Sequence, residues 1–162
     1  MSRKAGAPDP PWLSSEQAVV WRAYMGLSLQ MTYEMNRQLT EDHQLSLADY
    51  SVLVALADSP DGRRRVSELA SEIGWERSRL SHHLKRMCGR GLTERRASAS
   101  DGRATDALLT ALGRRAVEEA APDHVALVQR LFFEGLDDAD LAALGDVMTR
   151  LRAQVRERGT LA

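Results

Sequence analysis

Residues 76 to 103 constrain this chain more than any other stretch. Glu76-Arg77-Ser78-Arg79-Leu80-Ser81-His82-His83-Leu84-Lys85-Arg86-Met87-Cys88 has helical spacing, with Leu80, Leu84, Met87 and Cys88 on one stripe. The opposite face carries Ser78, Arg79, His82, Lys85 and Arg86 and no apolar residue. Gly91-Leu92 then stops the helix. A basic strand through Arg95 and Arg96 follows, and after it the turn Ser100-Asp101-Gly102-Arg103. A helix that is apolar inside and cationic outside, followed at once by a basic hairpin, can place the helix in a DNA major groove. The hairpin can then reach the neighbouring minor groove.

Charge is distributed accordingly. The chain of 162 residues has a formal net charge of -1. Residues 62 to 103 hold eleven Lys and Arg against five acids, or +6, which leaves the remainder at -7. A basic module within an acidic body is the footprint of a protein that turns one face to phosphates.

Signals on either side complete the element order. Ser14 with Gln17 forms a capping-box pattern, and an amphipathic helix from Glu16 to about His43 follows through Val20, Tyr24, Leu27, Met31, Met35 and Leu39. Ser46 is expected to cap a second helix, Leu47 to Ala57, with Tyr50, Leu53, Val54 and Leu56 inward. Ser59-Pro60-Asp61-Gly62 reads as a turn and 63–66 as a short strand. Ser67 is expected to cap a helix from Glu68 to Ile73 that stops at Gly74, and the basic helix spans Arg77 to Arg90. Leu92 to Arg96 and Ala104 to Leu109 form the hairpin. Thr110 caps a helix towards Glu134, which Pro122 is expected to kink or divide. A last helix begins at Leu136-Asp137-Asp138 and carries Leu141, Leu144, Val147, Met148, Leu151 and Val155 along one side.

The expected fold is mainly α with a small β-hairpin wing: a winged helix-turn-helix with N- and C-terminal dimerisation helices. Residues 1–11 read as a flexible arm and 12–162 as one domain, with the winged lobe at about 46–110 and dimerisation helices at about 14–43 and 111–158. The terminal helices are too apolar on one side for their place at the ends of a small domain. A second copy of the chain is the expected partner, and a two-fold pair would set two reading helices about one DNA turn, roughly 34 Å, apart.

Composition excludes other classes. Hydrophobic residues make up 43% and aromatics 5%, so the core is aliphatic. One cysteine excludes an intramolecular disulfide. No apolar run has the length of a membrane span or the form of a signal peptide, so the expected location is cytoplasmic. No nucleophile elbow, phosphate loop or metal-ligand spacing occurs, and Ser81 beside His82 makes no dyad because adjacent helical residues diverge. No enzyme, cofactor or metal is expected. A winged helix used only to bind proteins is the alternative function, and the basic helix and wing argue against it.

Ordered segments of this sequence resemble the MarR (multiple antibiotic resistance regulator) family of bacterial transcription factors. They are Leu45-Ser46-Leu47-Ala48-Asp49-Tyr50, Val66-Ser67-Glu68-Leu69-Ala70 and the recognition run from Ser78 to Met87. Arg90-Gly91-Leu92, Ser100-Asp101-Gly102-Arg103-Ala104 and Leu109-Thr110-Ala111-Leu112-Gly113 follow in the family's order. The resemblance covers Trp12 to about Arg158. It implies a homodimer that represses, less often activates, a nearby gene from a pseudo-palindromic operator in double-stranded DNA, and that is often released by a small aromatic, anionic ligand. It implies that Arg103, in the Asp-x-Arg turn, enters the minor groove.

Ser78, Arg79, Ser81 and His82 are the candidate base readers, and Lys85, Arg86, Arg95 and Arg96 the candidate phosphate contacts. His82 stands where many members carry arginine. A ligand would meet Trp21, Tyr24, Met25, Leu27, Met31 and Tyr50. Cys88 lies on the inward stripe, away from the position near the first helix used by redox-sensing members, and is read as a small buried hydrophobe.

Overall fold

The computed structural model describes residues 12–98 and 104–160. Its order is α1 (Ser15–His43), α2 (Leu47–Ala57), β1 (Arg63–Arg65), α3 (Val66–Ile73), α4 (Arg77–Gly89), β2 (Thr93–Ala97), β3 (Thr105–Leu109), α5 (Ala111–Val128), a π turn (Gln129–Phe133) and α6 (Asp138–Arg158). These residues fall into two units, one ending at Glu34 within α1 and the other running from Met35 onward. The first is a stretch of helix with Trp21 and Tyr24 in ring contact at 5.5 Å and large apolar side chains exposed along it, among them Val20, Met25, Leu27 and Tyr33.

The helix starts follow the capping residues. The Ser14 and Gln17 pair closes as a capping box. Ser46 caps α2, accepting from the Asp49 N–H, while Asp49 accepts from the Ser46 N–H. Thr110 caps α5 through the Gly113 N–H and also bonds the Gly91 and Leu92 carbonyls, which ties the start of α5 to the end of α4. An Asp137–Asp140 capping box opens α6.

One expectation is corrected and a second is narrowed. Ser67 does not cap α3: the helix begins at Val66 directly from the extended residue Arg65, with no side-chain cap. Arg65 is held in strand register opposite Asp106, so the end of the ladder sets the helix start. Pro122 does not divide α5, which continues to Val128. Pro122 and Glu118 are both exposed, so the helical bond that Pro122 cannot donate to the Glu118 carbonyl is missing on the exposed side of the helix. The irregularity falls later, where Glu134 N–H reaches the Gln129 carbonyl in the π turn.

The three strands form one antiparallel sheet in the order β1-β3-β2, so the short first strand joins the hairpin. The core lies under that sheet, where Leu53 and Leu56 of α2, Leu69 of α3, and Leu80, Leu84 and Met87 of α4 are fully enclosed. Val52 is also fully enclosed, whereas Val54, expected inside, is half-buried. Gly113 is required where α5 crosses the β2 entry: a Cβ there would lie 2.1 Å from the Leu92 carbonyl oxygen. In α6, Leu141, Val147, Met148, Leu151 and Val155 are all exposed. Among the described residues, no helix is long and apolar enough to cross a membrane.

Candidate nucleic-acid interface

α3 and α4 make the helix-turn-helix. α3 ends on Gly74 at φ 71°, a left-handed conformation that glycine adopts without strain. Bonds from the Trp75 N–H to Ala70 and from the Gly74 N–H to Ser71 close the turn, and α4 starts two residues later. Leu80, Leu84 and Met87 then fasten α4 to the core.

The outer face is as the spacing predicts. Ser78, Arg79, His82, Lys85 and Arg86 are exposed, and Ser81 is half-buried. Ser78 is not the helix cap, because the cap position is Glu76, which makes no side-chain cap bond. Ser78 and His82 stand one turn apart at the N-terminal end. Cys88 is half-buried rather than enclosed, with its Sγ 3.5 Å from Thr93 Oγ1.

The wing strand β2 presents its two arginines differently. Arg96 pairs with Glu94 at 2.7 Å, so its charge is partly offset. Arg95, on the other side of the strand, lines an open cleft of about 240 Å³ with Arg65, Ser67, Arg77 and Ser81. The cleft joins β2 and α4 into one cationic surface, and among the described residues no carboxylate lines it. Arg65, Ser67 and Arg77 were missed by sequence reasoning. The Arg63-Arg64-Arg65 run was the available signal. Sequence could not say which member faces the cleft, because Arg63 pairs with Asp106 at 3.0 Å and Arg64 with Glu72. Arg103, the expected minor-groove residue, lies outside the described residues, as does the rest of the turn from 99 to 103.

A buried polar network fixes α4 against α2, and sequence reasoning missed this too. Asp49 is 5% exposed. Its Oδ2 accepts from Arg90 Nη1 at 2.7 Å, and its Oδ1 lies 2.9 Å from His83 Nε2. Burial alone would raise the Asp49 pKa. His83, the Ser46 cap and Arg90 outweigh it and hold the carboxyl well below the usual range. Arg90 also bonds the Gln44 carbonyl at 2.6 Å. It therefore staples two elements within the lobe, which its place in a basic run did not reveal. His83, adjacent to exposed His82, is 6% exposed.

Of the expected ligand residues, the structure brings Trp21 and Tyr24 together on α1. Met25 and Leu27 are exposed nearby along the helix and Met31 is half-buried. Tyr50 belongs to the core, in ring contact with His124 at 4.5 Å. Burial raises the pKa of Tyr50 and lowers that of His124.

Comparisons with known proteins agree with this geometry. The sequence model of the MarR family matches residues 43–104. The chain is 32% identical to AbsC, a MarR family transcriptional regulator from Streptomyces coelicolor, over 92% of this chain and 100% of that one, with a TM-score of 0.86. It is 34% identical to Sco3205, a regulator of the same family and organism solved in complex with DNA, over 92% and 93% of the two chains, also with a TM-score of 0.86. Bordetella bronchiseptica BpsR, whose DNA binding is regulated by 6-hydroxynicotinic acid, shares the fold at 22% identity and a TM-score of 0.75, over 88% and 98%. No curated protein sequence matches. With a third of its residues shared over nearly the whole length of two such regulators, the chain belongs to the MarR family of transcriptional regulators.

Proposed function

We propose that the chain is a homodimeric, sequence-specific DNA-binding regulator that represses transcription from the cytoplasm and releases its operator on binding a small aromatic anion. The observation that carries the DNA reading is the exposed, acid-free face of α4, continuous with the cationic cleft at β2. Ser78, Arg79, Ser81 and His82 read base edges. Lys85, Arg86 and Arg95 hold phosphates, and Arg96 assists despite its pairing with Glu94. The wing turn with Arg103 reads the minor groove by its shape.

The dimer reading rests on the exposed apolar residues of α6 and of the first part of α1, which water leaves uncovered at a cost. A second copy covers them and supplies the second reading helix that a pseudo-palindromic operator needs. The ligand reading is supported by the face of α1 bearing Trp21, Tyr24, Met25, Leu27 and Met31, where rings and thioethers suit a flat aromatic guest. BpsR, a protein of the same fold, is regulated by such a molecule.

The test is a pair of titrations at one salt concentration, on the duplex lying upstream of the protein's own gene and on random duplex. His82→Ala is expected to cost about 1–3 kcal/mol on the cognate duplex and much less on the random one. Lys85→Ala is expected to weaken both alike and to reduce the salt slope by about one. Salt-independent affinity for both duplexes would favour a protein-interaction module instead.

A further inference from the structure

Arg79 sits on the exposed face at the start of α4, yet its guanidinium is not loose. Its Cζ lies 4.2 Å from the centroid of the Trp75 ring. Trp75 itself is half-buried in the turn before α4, packed against the core. The His83 ring meets it edge-on, with centroids 5.3 Å apart and an interplanar angle of 88°. His83 is in turn enclosed between two charged partners. Arg86 Nη2 lies 2.8 Å from Nδ1, and Asp49 Oδ1 lies 2.9 Å from Nε2. A guanidinium has only donors, so Nδ1 accepts and the ring hydrogen stands on Nε2, which lies close to the carboxylate but out of line for a hydrogen bond to it. A chain of contacts therefore runs from the cap of α2 through His83 and Trp75 to Arg79, with a branch to Arg86.

The physical consequence concerns Arg79. A free arginine side chain samples many rotamers, and ordering it on DNA costs affinity at the cognate site. An aromatic ring over one face of the guanidinium limits that sampling and leaves its in-plane N–H edge open. The open edge is the part that donates two bonds to the O6 and N7 of a guanine. Trp75 is anchored to the core and does not itself need to touch DNA.

We propose that Trp75 is a specificity-determining positioning residue, whose ring holds Arg79 aimed at a base edge while His83, seated on Asp49, braces the ring. The proposal rests on the reading of α4 as the major-groove helix. It implies that loss of the ring lowers discrimination between sequences and leaves general DNA affinity in place, because phosphate contacts from Lys85 and Arg95 persist.

The experiment begins with duplexes enriched by the wild-type protein from a randomised pool. Affinity is then measured on the most enriched duplex and on a scrambled duplex of the same length, at one salt concentration. Trp75→Met, which keeps bulk without the ring, is expected to lower the ratio of the two affinities roughly five- to tenfold and to change scrambled binding less than about twofold. Trp75→Phe, which keeps a ring, is expected to restore most of the ratio. In an Arg79→Ala background Trp75→Met should have no further effect, since the ring acts only through that arginine.

If Trp75→Met melts below the assay temperature, Trp75→Tyr and Trp75→para-cyanophenylalanine replace it. Similar in shape, they differ in the electron density of the ring, and the cyano variant should discriminate less well. An unchanged ratio, an equal loss on both duplexes, additive losses with Arg79→Ala, or no difference between electron-rich and electron-poor rings each overturns the inference. A wild-type protein that enriches no sequence overturns the DNA reading, and the inference with it.

Discussion

Asp49→Ala should be a costly truncation of a charged side chain, and the structure allows the cost to be worked out. Three interactions end together. The Asp49 half of the α2 capping box is lost, at about 1 kcal/mol. The bond to Arg90 goes as well; that guanidinium is 44% exposed, so solvent limits its share to roughly 1 kcal/mol. His83, 7% exposed at its side chain, loses the carboxylate 2.9 Å from its Nε2, at about 1–2 kcal/mol for a buried polar group deprived of its charged neighbour. The total is about 3–4 kcal/mol, a large part of the roughly 5–15 kcal/mol that holds a domain of this kind. Thermal unfolding followed by circular dichroism should show Tm lower by roughly 10 °C, with protein concentration fixed because association couples to stability.

The same variant carries a pH signature. Folding depresses the Asp49 pKa from its ordinary value of 3.8. Its contribution is therefore fully present above that value and is lost as pH falls through the depressed folded value. The stability gap between wild type and variant should stay level from about pH 5 to 8 and narrow below about pH 4. Asp49→Asn keeps an acceptor for the Ser46 N–H and should fall between the two. A gap under about 1 kcal/mol, or one that widens in acid, would refute the idea that this carboxylate is a folded-state anchor.

Gly113→Ala should destabilise by about 3 kcal/mol or more in urea unfolding, because the new methyl meets the backbone oxygen of Leu92 and neither element can give way freely. His124 has its pKa lowered by burial, and its Nδ1 has no hydrogen-bond partner among the described residues. Its contribution is present above the unfolded value of 6.5 and is lost as pH falls through the lowered folded value, so wild-type Tm should drop below about pH 6.5 more steeply than that of His124→Leu. Light scattering at micromolar concentration should give twice the chain mass for the wild type. Leu151→Asp, placing a charge in the exposed apolar stripe of α6, should shift it towards the single-chain mass while leaving the winged lobe folded.

Sequence by itself determined the order of the elements and nearly all of their ends. Those depend on local chemistry: Ser46 and Thr110 satisfy N–H groups within their own first turn, Gly74 takes a left-handed turn, and a 3.6-residue period sorts the faces of α4. It also determined which side chains of α4 face outward, because that follows from helix geometry once Leu80, Leu84 and Met87 are inside. Tertiary structure alone decided which charges are paired and which line the cleft. Arg90 is paired with Asp49 across 41 residues of sequence, Arg63 with Asp106, and Arg96 with its strand neighbour Glu94, whereas Arg77 and Arg95 line the cleft. Ion pairs of that kind depend on strand register and on how helices cross, and neither leaves a periodic trace in the chain. The same holds for His83, which differs from exposed His82 only by the hundred degrees that turn it towards the Asp49 carboxylate.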